Sequence, residues 1–362
     1  MDPVNISEFE TLARERMSRQ AFDYVAGGAD DEITLAKNRA AFERITLHPR
    51  VLVDVSTVDT STEVLGQRIS FPVLVAPTAF QTLAHPDGEL ATARATSAAG
   101  TIMIVSTLAS FRLEDIAAAA PGPKWFQLYC CKERAATQQL VERAETSGYD
   151  AICLTVDVSR LGRRERDLRN QFTLPPEVVP RNFEDAANLS EFPQTERRSL
   201  LTAYVADLLN DSLTWDDVAW IRSITKLPVV LKGILTREDA RLAADMGVES
   251  IVVSNHGGRQ LDGVPAGVDV LSEIAAAVGD RVEVLVDGGI RRGTDVVKAL
   301  ALGARGVLLG RPYVWGLAAD GQAGVTKVLQ MLRDEVELAL ALCGCPTVEA
   351  VSAGLVGRRS ER

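Results

Sequence analysis

Short runs of consecutive apolar residues recur along the chain, and four of them follow an Ala-rich amphipathic stretch that ends in Gly. Examples are ATSAAG before TIMIVS at 95–106 and VVKALALG before ARGVLLG at 296–310. Gly often ends a helix because it adopts the left-handed conformation at little cost. The apolar runs show little alternation, which is typical of strands buried on both faces. The pattern therefore predicts repeated helix–strand units around a parallel sheet.

Eight of these runs are predicted to be strands. They lie near 73–76, 102–106, 125–129, 151–156, 228–232, 250–254, 283–287 and 306–309. Most are separated by the length of one strand–helix unit, so we expect an α/β fold that closes into a (β/α)8 TIM barrel. An open, doubly wound sheet is the alternative. The chain has no Gly-x-Gly-x-x-Gly turn after an early strand, which weakens a dinucleotide-binding fold.

Two segments fall outside this repeat within the single domain that we predict for residues 1–362. Residues 1–62 precede the first strand, and we expect them to form helices and a connection that cover the barrel base. Residues 159 to about 212 are charged, contain prolines and are too long for a simple connection. This second segment follows the end of the fourth strand, where barrel active sites lie. We therefore expect it to be an active-site lid.

Composition excludes several classes of partner. The net charge is −10, which argues against nucleic acid because phosphate binding normally requires a basic surface. No apolar run is long enough to span a membrane, and the N-terminus lacks the apolar core of a signal peptide. The five cysteines are odd in number, which favours a reduced, cytoplasmic protein. Their spacing does not match a zinc site, so no metal is expected.

Every predicted strand ends in polar residues, at the face where TIM-barrel chemistry takes place. The ends read Ala76-Pro77-Thr78-Ala79, Ser106-Thr107, Gln127-Leu128-Tyr129, Thr155-Val156-Asp157, Lys232-Gly233, Ser254-Asn255-His256, Asp287-Gly288-Gly289 and Gly310-Arg311. A single polar end occurs by chance, so the argument rests on all eight. Together they predict a functional site at this face.

His256 is the candidate general base. It directly follows a predicted buried strand, lies among glycines that let a ligand approach, and titrates near neutral pH. Asp287, at the next strand end, is expected to orient His256 and stabilise its charged form. A helix N-cap is the alternative for Asp287. His48 lies outside the predicted strands and His85 lies in a connection, so a structural role is expected for each.

The last two strand ends predict a phosphate site. DGGIRRG at 287–293 and LLGRP at 308–312 combine glycine N–H groups, helix starts and arginines, which all bind phosphate. A phosphosugar, a free phosphate or a flavin phosphate would fit this pattern. A solvated helix start is the alternative for Arg291 and Arg292.

Other cations near the strand ends also require anionic partners. Lys232 closes a buried strand, and its partner would be a Schiff-base substrate, a carboxylate or a reduced flavin ring. Arg259 and Arg164 would suit a substrate carboxylate. A solvated basic run is the alternative for Arg164, which has basic neighbours.

Together these motifs resemble the FMN-dependent α-hydroxy-acid oxidase and dehydrogenase family, which includes glycolate, L-lactate and mandelate oxidases. The resemblance covers nearly the whole chain, and its most specific parts are SNHGGRQLDG (254–263) and DGGIRRG. Other matching segments are AFDYVAGGADDEITL, RITLHPRVLVDVS, VLVAPTA, WFQLY, LTVDVSRLGRRERDLRN, LPVVLKGI and GRP. The resemblance implies an enzyme with FMN as cofactor that oxidises an (S)-2-hydroxy acid to the 2-keto acid while O2 becomes H2O2.

The resemblance also implies roles on the substrate side. His256 would take the C2 proton or the C2-hydroxyl proton, with Asp287 supporting its imidazolium. Arg259 and Tyr24 would hold the substrate carboxylate, assisted by Arg164 from the lid.

Further roles follow by resemblance near the hydroxyl and the flavin. Tyr129 would hydrogen-bond near the substrate hydroxyl, with Asp157 close behind it. Lys232 would lie at flavin N1 and O2. The other residues expected to bind FMN are Pro77, Thr78, Ala79, Ser106, Gln127, Thr155, Ser254, Asp287, Gly289, Arg291, Gly310 and Arg311.

Departures from the family pattern bear on substrate and acceptor. Glycolate oxidases typically carry Trp where this chain has Leu108, which favours lactate or a bulkier, mandelate-like acid. Segment 181–199 is too polar for a membrane anchor, and dehydrogenases often have Gly at the position of Ala79; both points favour O2. A dehydrogenase with a quinone or cytochrome acceptor is the alternative, and a non-redox phosphate binder is a more distant one. The resemblance further implies a homo-oligomer, either a tetramer or an octamer.

Overall fold

The structure is a computed structural model that describes residues 2–183 and 209–358. Its strands are β1 (Ile45–Leu47), β2 (Thr62–Val64), β3 (Gln67–Ile69), β4 (Val73–Val75), β5 (Met103–Ser106), β6 (Lys124–Leu128), β7 (Ala151–Thr155), β8 (Val229–Ile234), β9 (Ser250–Val253), β10 (Glu283–Asp287), β11 (Gly306–Leu309) and β12 (Val356–Arg358). Strands β4 to β11 close into one barrel in which each strand is parallel to both neighbours.

Helices follow the barrel strands and pack on their outer faces. The helices are α1 (Ile6–Arg16), α2 (Arg19–Ala26), α3 (Ile33–Glu43), α4 (Gly88–Ala98), α5 (Leu113–Ala119), α6 (Arg134–Thr146), α7 (Glu165–Arg169), α8 (Trp215–Ile224), α9 (Arg237–Asp245), α10 (Gly267–Val278), α11 (Gly293–Ala301) and α12 (Arg311–Cys343). Helix α12 is kinked at Asp320 and Gly321, whose backbone angles leave the helical region. Single 3₁₀ turns lie at Gln81–Leu83, Arg181–Phe183, Gly279–Arg281, Val348–Ala350 and Ala353–Leu355.

The predicted (β/α)8 TIM barrel is confirmed. Each of the eight predicted strands is present, with ends within two residues of the prediction. Strand β11 pairs with β4 through Val307 and Val73, which closes the barrel. In the described part of the chain, no helix is long and apolar enough to cross a membrane.

The base of the barrel is closed by a hairpin rather than by the N-terminal helices. Strands β2 and β3 pair antiparallel, and Val64 and Ile69 pack with Leu74 inside the barrel. The N–H of Leu65 donates to Glu283 Oε2 (3.0 Å) at the start of β10. The expectation that residues 1–62 cover the base is therefore wrong, because the apolar side chains that plug this end belong to the hairpin.

Helices α2 and α3 are fixed to the opposite face, at the carboxyl ends of the strands. Asp262 accepts hydrogen bonds from the N–H groups of Ile33 (3.2 Å) and Thr34 (2.7 Å) and so caps α3. Asn38 and Asn255 exchange two side-chain amide hydrogen bonds, of 2.9 and 2.7 Å. These contacts hold the segment that carries Tyr24 against the end of β9.

The described beginning of the predicted lid also packs on the N-terminal segment. Phe172 stacks on the ring of Tyr24 with a centroid separation of 4.8 Å. The Arg166 guanidinium pairs with Glu32, and the N–H of Asp30 donates to the carbonyl of Arg163 (2.8 Å). Residues 184–208 of the segment lie outside the described residues, so the lid stays a prediction.

Candidate active site

A single cavity at the carboxyl ends of the barrel strands gathers nearly all predicted site residues. Those that line it are Tyr24, Pro77, Thr78, Ala79, Ser106, Leu108, Gln127, Tyr129, Thr155, Arg164, Lys232, His256, Arg259, Asp287, Gly289, Arg291, Gly310 and Arg311. Asp157 and Ser254 lie directly behind this lining and contact His256 and Lys232. The carboxyl ends of parallel strands meet at one rim, which explains why residues far apart in sequence converge.

His256 pairs with Asp157 and not with Asp287. His256 Nδ1 donates to Asp157 Oδ1 at 2.9 Å. Burial lowers the pKa of His256 below its ordinary value, and the neighbouring Asp157 charge only partly opposes this effect. The imidazole is therefore neutral near pH 7, with Nδ1 engaged by Asp157 and Nε2 left to accept a proton. The expectation that Asp287 orients His256 is wrong because Lys232 holds that carboxylate.

A backbone irregularity in β8 makes room for Asp157. The pairing of β8 with β9 shifts between Lys232 and Ile234, and Gly233 has φ +116°. A Cβ at Gly233 would lie 2.6 Å from the Asp157 Cβ. Only glycine therefore fits beside the Asp157 side chain, a requirement that sequence analysis missed. A glycine inside the apolar run LPVVLKGI was the available signal, since such a glycine often marks a bulge.

Lys232 is a buried cation with a fixed counter-charge. Its Nζ lies 2.9 Å from Asp287 Oδ2 and donates to Ser254 Oγ, also at 2.9 Å. Burial disfavours the ammonium, but the charges of Asp287 and Asp157 outweigh it and raise the pKa of Lys232. Lys232 is therefore charged, and Asp287 balances it instead of capping a helix.

Asp287 keeps one oxygen for a further partner. Its Oδ1 is buried and has no hydrogen-bond partner among the described residues. A buried carboxylate oxygen without a donor is costly, so it indicates a ligand hydroxyl or N–H at this point.

Two arginines form the anion-binding end of the site. Arg259 donates Nη1 to the carbonyls of Tyr24 (2.7 Å) and Gly27 (3.0 Å). Burial and the charge of Arg164 lower the pKa of Arg259 to about 10, so it remains protonated at neutral pH. Arg164 Nε is buried and lacks a partner among the described residues. Two adjacent guanidinium groups with a free donor suit a carboxylate.

Tyr129 is a half-buried residue that also lines the cavity. Burial raises the pKa of Tyr129, and the nearby Asp157 charge raises it further. The phenol is therefore neutral and can donate a hydrogen bond to a substrate oxygen.

A third group of cations lies at the ends of β10 and β11. Arg291 stacks over Trp315 at 4.7 Å, and burial lowers its pKa to about 10. Arg311 donates to the carbonyls of Val25 (3.0 Å) and Gly27 (2.8 Å) at the start of α12. Arg292 instead pairs with Glu335 (2.7 Å) outside the cavity lining, so it matches the alternative of a solvated helix start.

Close packing explains why the second glycine of the DGGIRRG motif, Gly289, is required. Gly289 has φ +86°, and a Cβ there would lie 2.0 Å from the Asn38 carbonyl oxygen. Only glycine allows α3 to pack this closely against the end of β10. The guanidinium of Arg39 on α3 donates to the Gly289 carbonyl (3.0 Å), a support that sequence analysis missed.

Comparison with known proteins decides the family. A family model described as FMN-dependent dehydrogenase matches residues 13–358. The chain belongs to the FMN-dependent dehydrogenase family. Glycolate oxidase 3 of Arabidopsis thaliana is 53% identical over 352 residues, which are 97% of this chain and 95% of the relative. L-lactate oxidase of a Nostoc species is 52% identical over 358 residues, 98% of each chain.

Solved structures of the same kind share the fold. The structure of mandelate oxidase with (S)-4-hydroxymandelic acid has a TM-score of 0.93 at 47% identity and covers 99% of both chains. A second mandelate oxidase structure has a TM-score of 0.91 at 46% identity and covers 99% of this chain and 98% of its own. This chain is therefore an FMN-dependent enzyme of the 2-hydroxy-acid oxidase type.

The cavity fits the FMN that this family uses. The phosphate end would be held by Arg291, Arg311 and the N-terminus of α12 at Gly310. Asp287 Oδ1, which is buried without a donor among the described residues, would accept a hydrogen bond from a ribityl hydroxyl. Buried polar side chains also link neighbouring strands along the cavity. For example, Gln127 at the end of β6 donates to Thr155 Oγ1 at the end of β7 (3.1 Å). Lys232 would neutralise charge on the ring system.

Proposed function

We propose that this protein oxidises an (S)-2-hydroxy acid to the 2-keto acid and that O2 accepts the electrons. The substrate loses two protons, one from C2 and one from the hydroxyl, together with two electrons, and O2 gains these two electrons and two protons to become H2O2. The observation that carries the proposal is one cavity holding both the His256–Asp157 pair and the guanidinium groups of Arg259 and Arg164. A base and a carboxylate site together match a 2-hydroxy acid.

Different residues of the cavity bind the substrate, take its proton and stabilise charge. Arg259 and Arg164 bind the substrate carboxylate and so fix where C2 lies. His256 Nε2 takes the C2 proton or the C2-hydroxyl proton of the substrate, and the Asp157 carboxylate stabilises the imidazolium that forms. FMN, when bound, supplies the electron acceptor of this half-reaction. Lys232 would supply a fixed positive charge beside the reduced cofactor.

The substrate side chain is proposed to be larger than that of glycolate. Leu108 and Ala79 both line the cavity, and the family's glycolate oxidases typically have Trp at the first position. The smaller Leu108 leaves volume for a methyl, alkyl or phenyl group, which favours lactate or a mandelate-like acid. The named relatives include oxidases of glycolate and oxidases of the larger acids lactate and mandelate. Support for a preference for larger acids therefore comes from Leu108.

The test is a substrate panel measured with the purified holoprotein. We expect the (S)-enantiomers of lactate and mandelate to give higher kcat/KM values than glycolate, with one H2O2 formed per keto acid. Turnover with an artificial acceptor but without H2O2 would instead favour the dehydrogenase alternative. Absence of turnover with every acid and every acceptor would contradict the proposed function.

Leu108→Trp sharpens the test of specificity. The indole would fill the volume proposed for the substrate side chain, so kcat/KM for mandelate should fall at least about tenfold. Glycolate is the internal control, because it carries no side chain and its kcat/KM should change little. Equal losses for both acids would place Leu108 outside the side-chain pocket. The cytoplasmic location and the homo-oligomeric state stay predictions from the sequence.

A further inference from the structure

A fully buried glutamate lies outside the chemistry described so far. Glu89 is the second residue of α4 and is 0% exposed. Its Oε2 is buried and has no hydrogen-bond partner among the described residues. Burial raises the pKa of Glu89 to about 7. Retaining an acid in such a place is costly, which calls for a specific reason.

The other oxygen of Glu89 ties two loops together. Oε1 accepts hydrogen bonds from the N–H of Gln81 (3.1 Å) and from the N–H of Ser110 (3.0 Å). Gln81 follows β4, and Ser110 follows β5. Each loop thus contributes a backbone donor that would otherwise be buried without a partner, and one oxygen accepts both. The hydroxyl of Thr82 also donates to Ser110 Oγ (2.8 Å) and so joins the same two loops.

These two loops carry the wall of the substrate side-chain pocket. Ala79 lies two residues before Gln81, and Leu108 lies two residues before Ser110; both line the cavity. The N–H of Phe80 donates to the Leu108 carbonyl (3.1 Å), so the loops also meet directly beside the pocket.

The turn at Phe80 is strained and needs such support. Phe80 is buried with φ +54°, a conformation that bulky side chains rarely adopt. Its ring lies 6.5 Å from the ring of Tyr24, another residue of the cavity lining. A shift of the Gln81 N–H would therefore be passed to Phe80 and to the pocket.

We propose that Glu89 is a positioning residue that sets the width of the substrate side-chain pocket by holding the loops after β4 and β5 together through Oε1. The proposal rests on the proposed function, because it concerns how the same pocket discriminates between 2-hydroxy acids. It assigns to Glu89 no contact with the substrate.

The test compares three variants by the ratio of kcat/KM for mandelate to kcat/KM for lactate. Glu89→Asp is one methylene shorter and cannot reach both N–H groups, so the ratio should change about tenfold, chiefly through KM. Glu89→Gln keeps an oxygen that accepts both bonds and should hold the ratio within about threefold of wild type. Glu283→Asp is the matched control, since Glu283 accepts one backbone N–H at the barrel base, and its ratio should not change.

The pH profile of the same ratio gives a second readout that does not depend on a truncated variant. Ionisation strengthens hydrogen bonds to a carboxylate, so the wild-type ratio should change between pH 6 and pH 8 while that of Glu89→Gln stays constant. Titration of His256 affects both acids alike and cancels. The titratable groups that interact with Glu89 are Tyr149 and Tyr313, and burial raises the pKa of both far above this window.

The outcomes separate the two proposals. Equal losses for both acids in Glu89→Asp, or the same pH profile in wild type and Glu89→Gln, would overturn the role of Glu89 while leaving the oxidase function intact. Wild-type holoprotein that oxidises neither acid would overturn the proposed function and this inference with it.

Discussion

The cavity contains three sets of basic side chains, and they differ in the negative charge that lies beside each. The Lys232 ammonium has Asp287, and the His256 imidazole has Asp157, each at 2.9 Å. The guanidinium groups of Arg259 and Arg164 both lie over the Tyr24 ring, at 5.1 and 5.9 Å, and burial together with the Arg164 charge lowers the pKa of Arg259. In the first two sets one protein carboxylate stands beside one lysine or histidine. In the third, the single carboxylate of Asp167 interacts with both arginines, so two positive charges share one negative charge. This excess of positive charge is the physical basis for a carboxylate substrate.

Replacement of His256 by Gln should remove proton abstraction and leave FMN bound. We expect the rate of flavin reduction by substrate to fall on the order of a hundredfold to ten-thousandfold, the usual contribution of a general base. Rapid mixing of anaerobic holoprotein with substrate measures this rate. His48→Gln is the control, because His48 lies near β1 and away from the cavity. An unchanged rate in His256→Gln would remove His256 from the mechanism.

The acid limb of the pH profile should lie below the ordinary pKa of histidine. Burial lowers the pKa of His256, so the neutral base persists to lower pH and kcat/KM falls only in more acidic solution. Asp157 raises that pKa, so Asp157→Asn should move the limb to still lower pH besides reducing the rate. A limb that moves to higher pH in Asp157→Asn would contradict the assigned pair.

Glu89 should also leave a signature in stability. Its pKa is about 7 in the folded protein against an ordinary value of 4.5, so between these pH values the unfolded chain loses a proton that the folded protein keeps. The free energy of unfolding therefore falls as pH rises through this window, by about 3 kcal/mol in total. Urea unfolding of wild type and Glu89→Gln across the window measures the difference. Parallel profiles for the two proteins would contradict the raised pKa.

At the scale of elements, the bulge in β8 connects the barrel to the chemistry. It aims Lys232 at Asp287 and leaves at Gly233 the space that the Asp157 side chain occupies. The general base His256 is therefore positioned by residues at three consecutive strand ends, those of β7, β8 and β9. Rigid strands hold such a constellation more accurately than loops do.

Gly233→Ala should disturb catalysis more than folding. The new Cβ would displace Asp157, and we expect flavin reduction to slow about a hundredfold. Gly148→Ala is the matched control, because Gly148 also has positive φ (+77°) but a Cβ there meets nothing within 4 Å. The control should lose only about 1–2 kcal/mol of stability. Equal kinetic losses in both variants would show that backbone strain, and not the Asp157 contact, is responsible.

The sequence predicts the barrel well because each helix–strand unit leaves a local pattern of apolar residues and a terminal glycine. It predicts which residues line the cavity because parallel strand ends share one rim. It does not predict pairing within the rim: Asp157 and Asp287 are both strand-end acids, and the buried Lys232 decides which one is left for His256. The sequence also predicts the wrong segment at the base of the barrel, because Val64 and Ile69 of the short β2–β3 hairpin close this end.

At the scale of the whole molecule, an acidic chain concentrates positive charge at one end of the barrel. The net charge is −10, yet Arg164, Arg259, Arg291, Arg311 and Lys232 all line the same cavity. Burial and mutual repulsion lower the pKa of Arg311 well below its ordinary value. Anionic ligands relieve this repulsion, so the cavity attracts phosphate and carboxylate although the chain as a whole repels them.

FMN should therefore stabilise the protein through its phosphate. At a hundredfold excess over Kd, a bound ligand adds about 2.7 kcal/mol to the free energy of unfolding, so Tm should rise. Riboflavin, which lacks the phosphate, should raise Tm less. Arg291→Leu should reduce the advantage of FMN over riboflavin, whereas Arg292→Leu should keep it because Arg292 pairs with Glu335 instead. Equal stabilisation by FMN and riboflavin would contradict the phosphate site.

Anaerobic reduction of the bound flavin tests directly whether this protein oxidises an (S)-2-hydroxy acid. Purified wild-type holoprotein is mixed with (S)-lactate or (S)-mandelate without oxygen, and the yellow flavin absorption is followed. We predict rapid bleaching by an (S)-2-hydroxy acid, formation of one keto acid per flavin, and return of the colour with one H2O2 when oxygen is admitted. A flavin that dithionite bleaches but that no 2-hydroxy acid reduces would contradict the proposed oxidation.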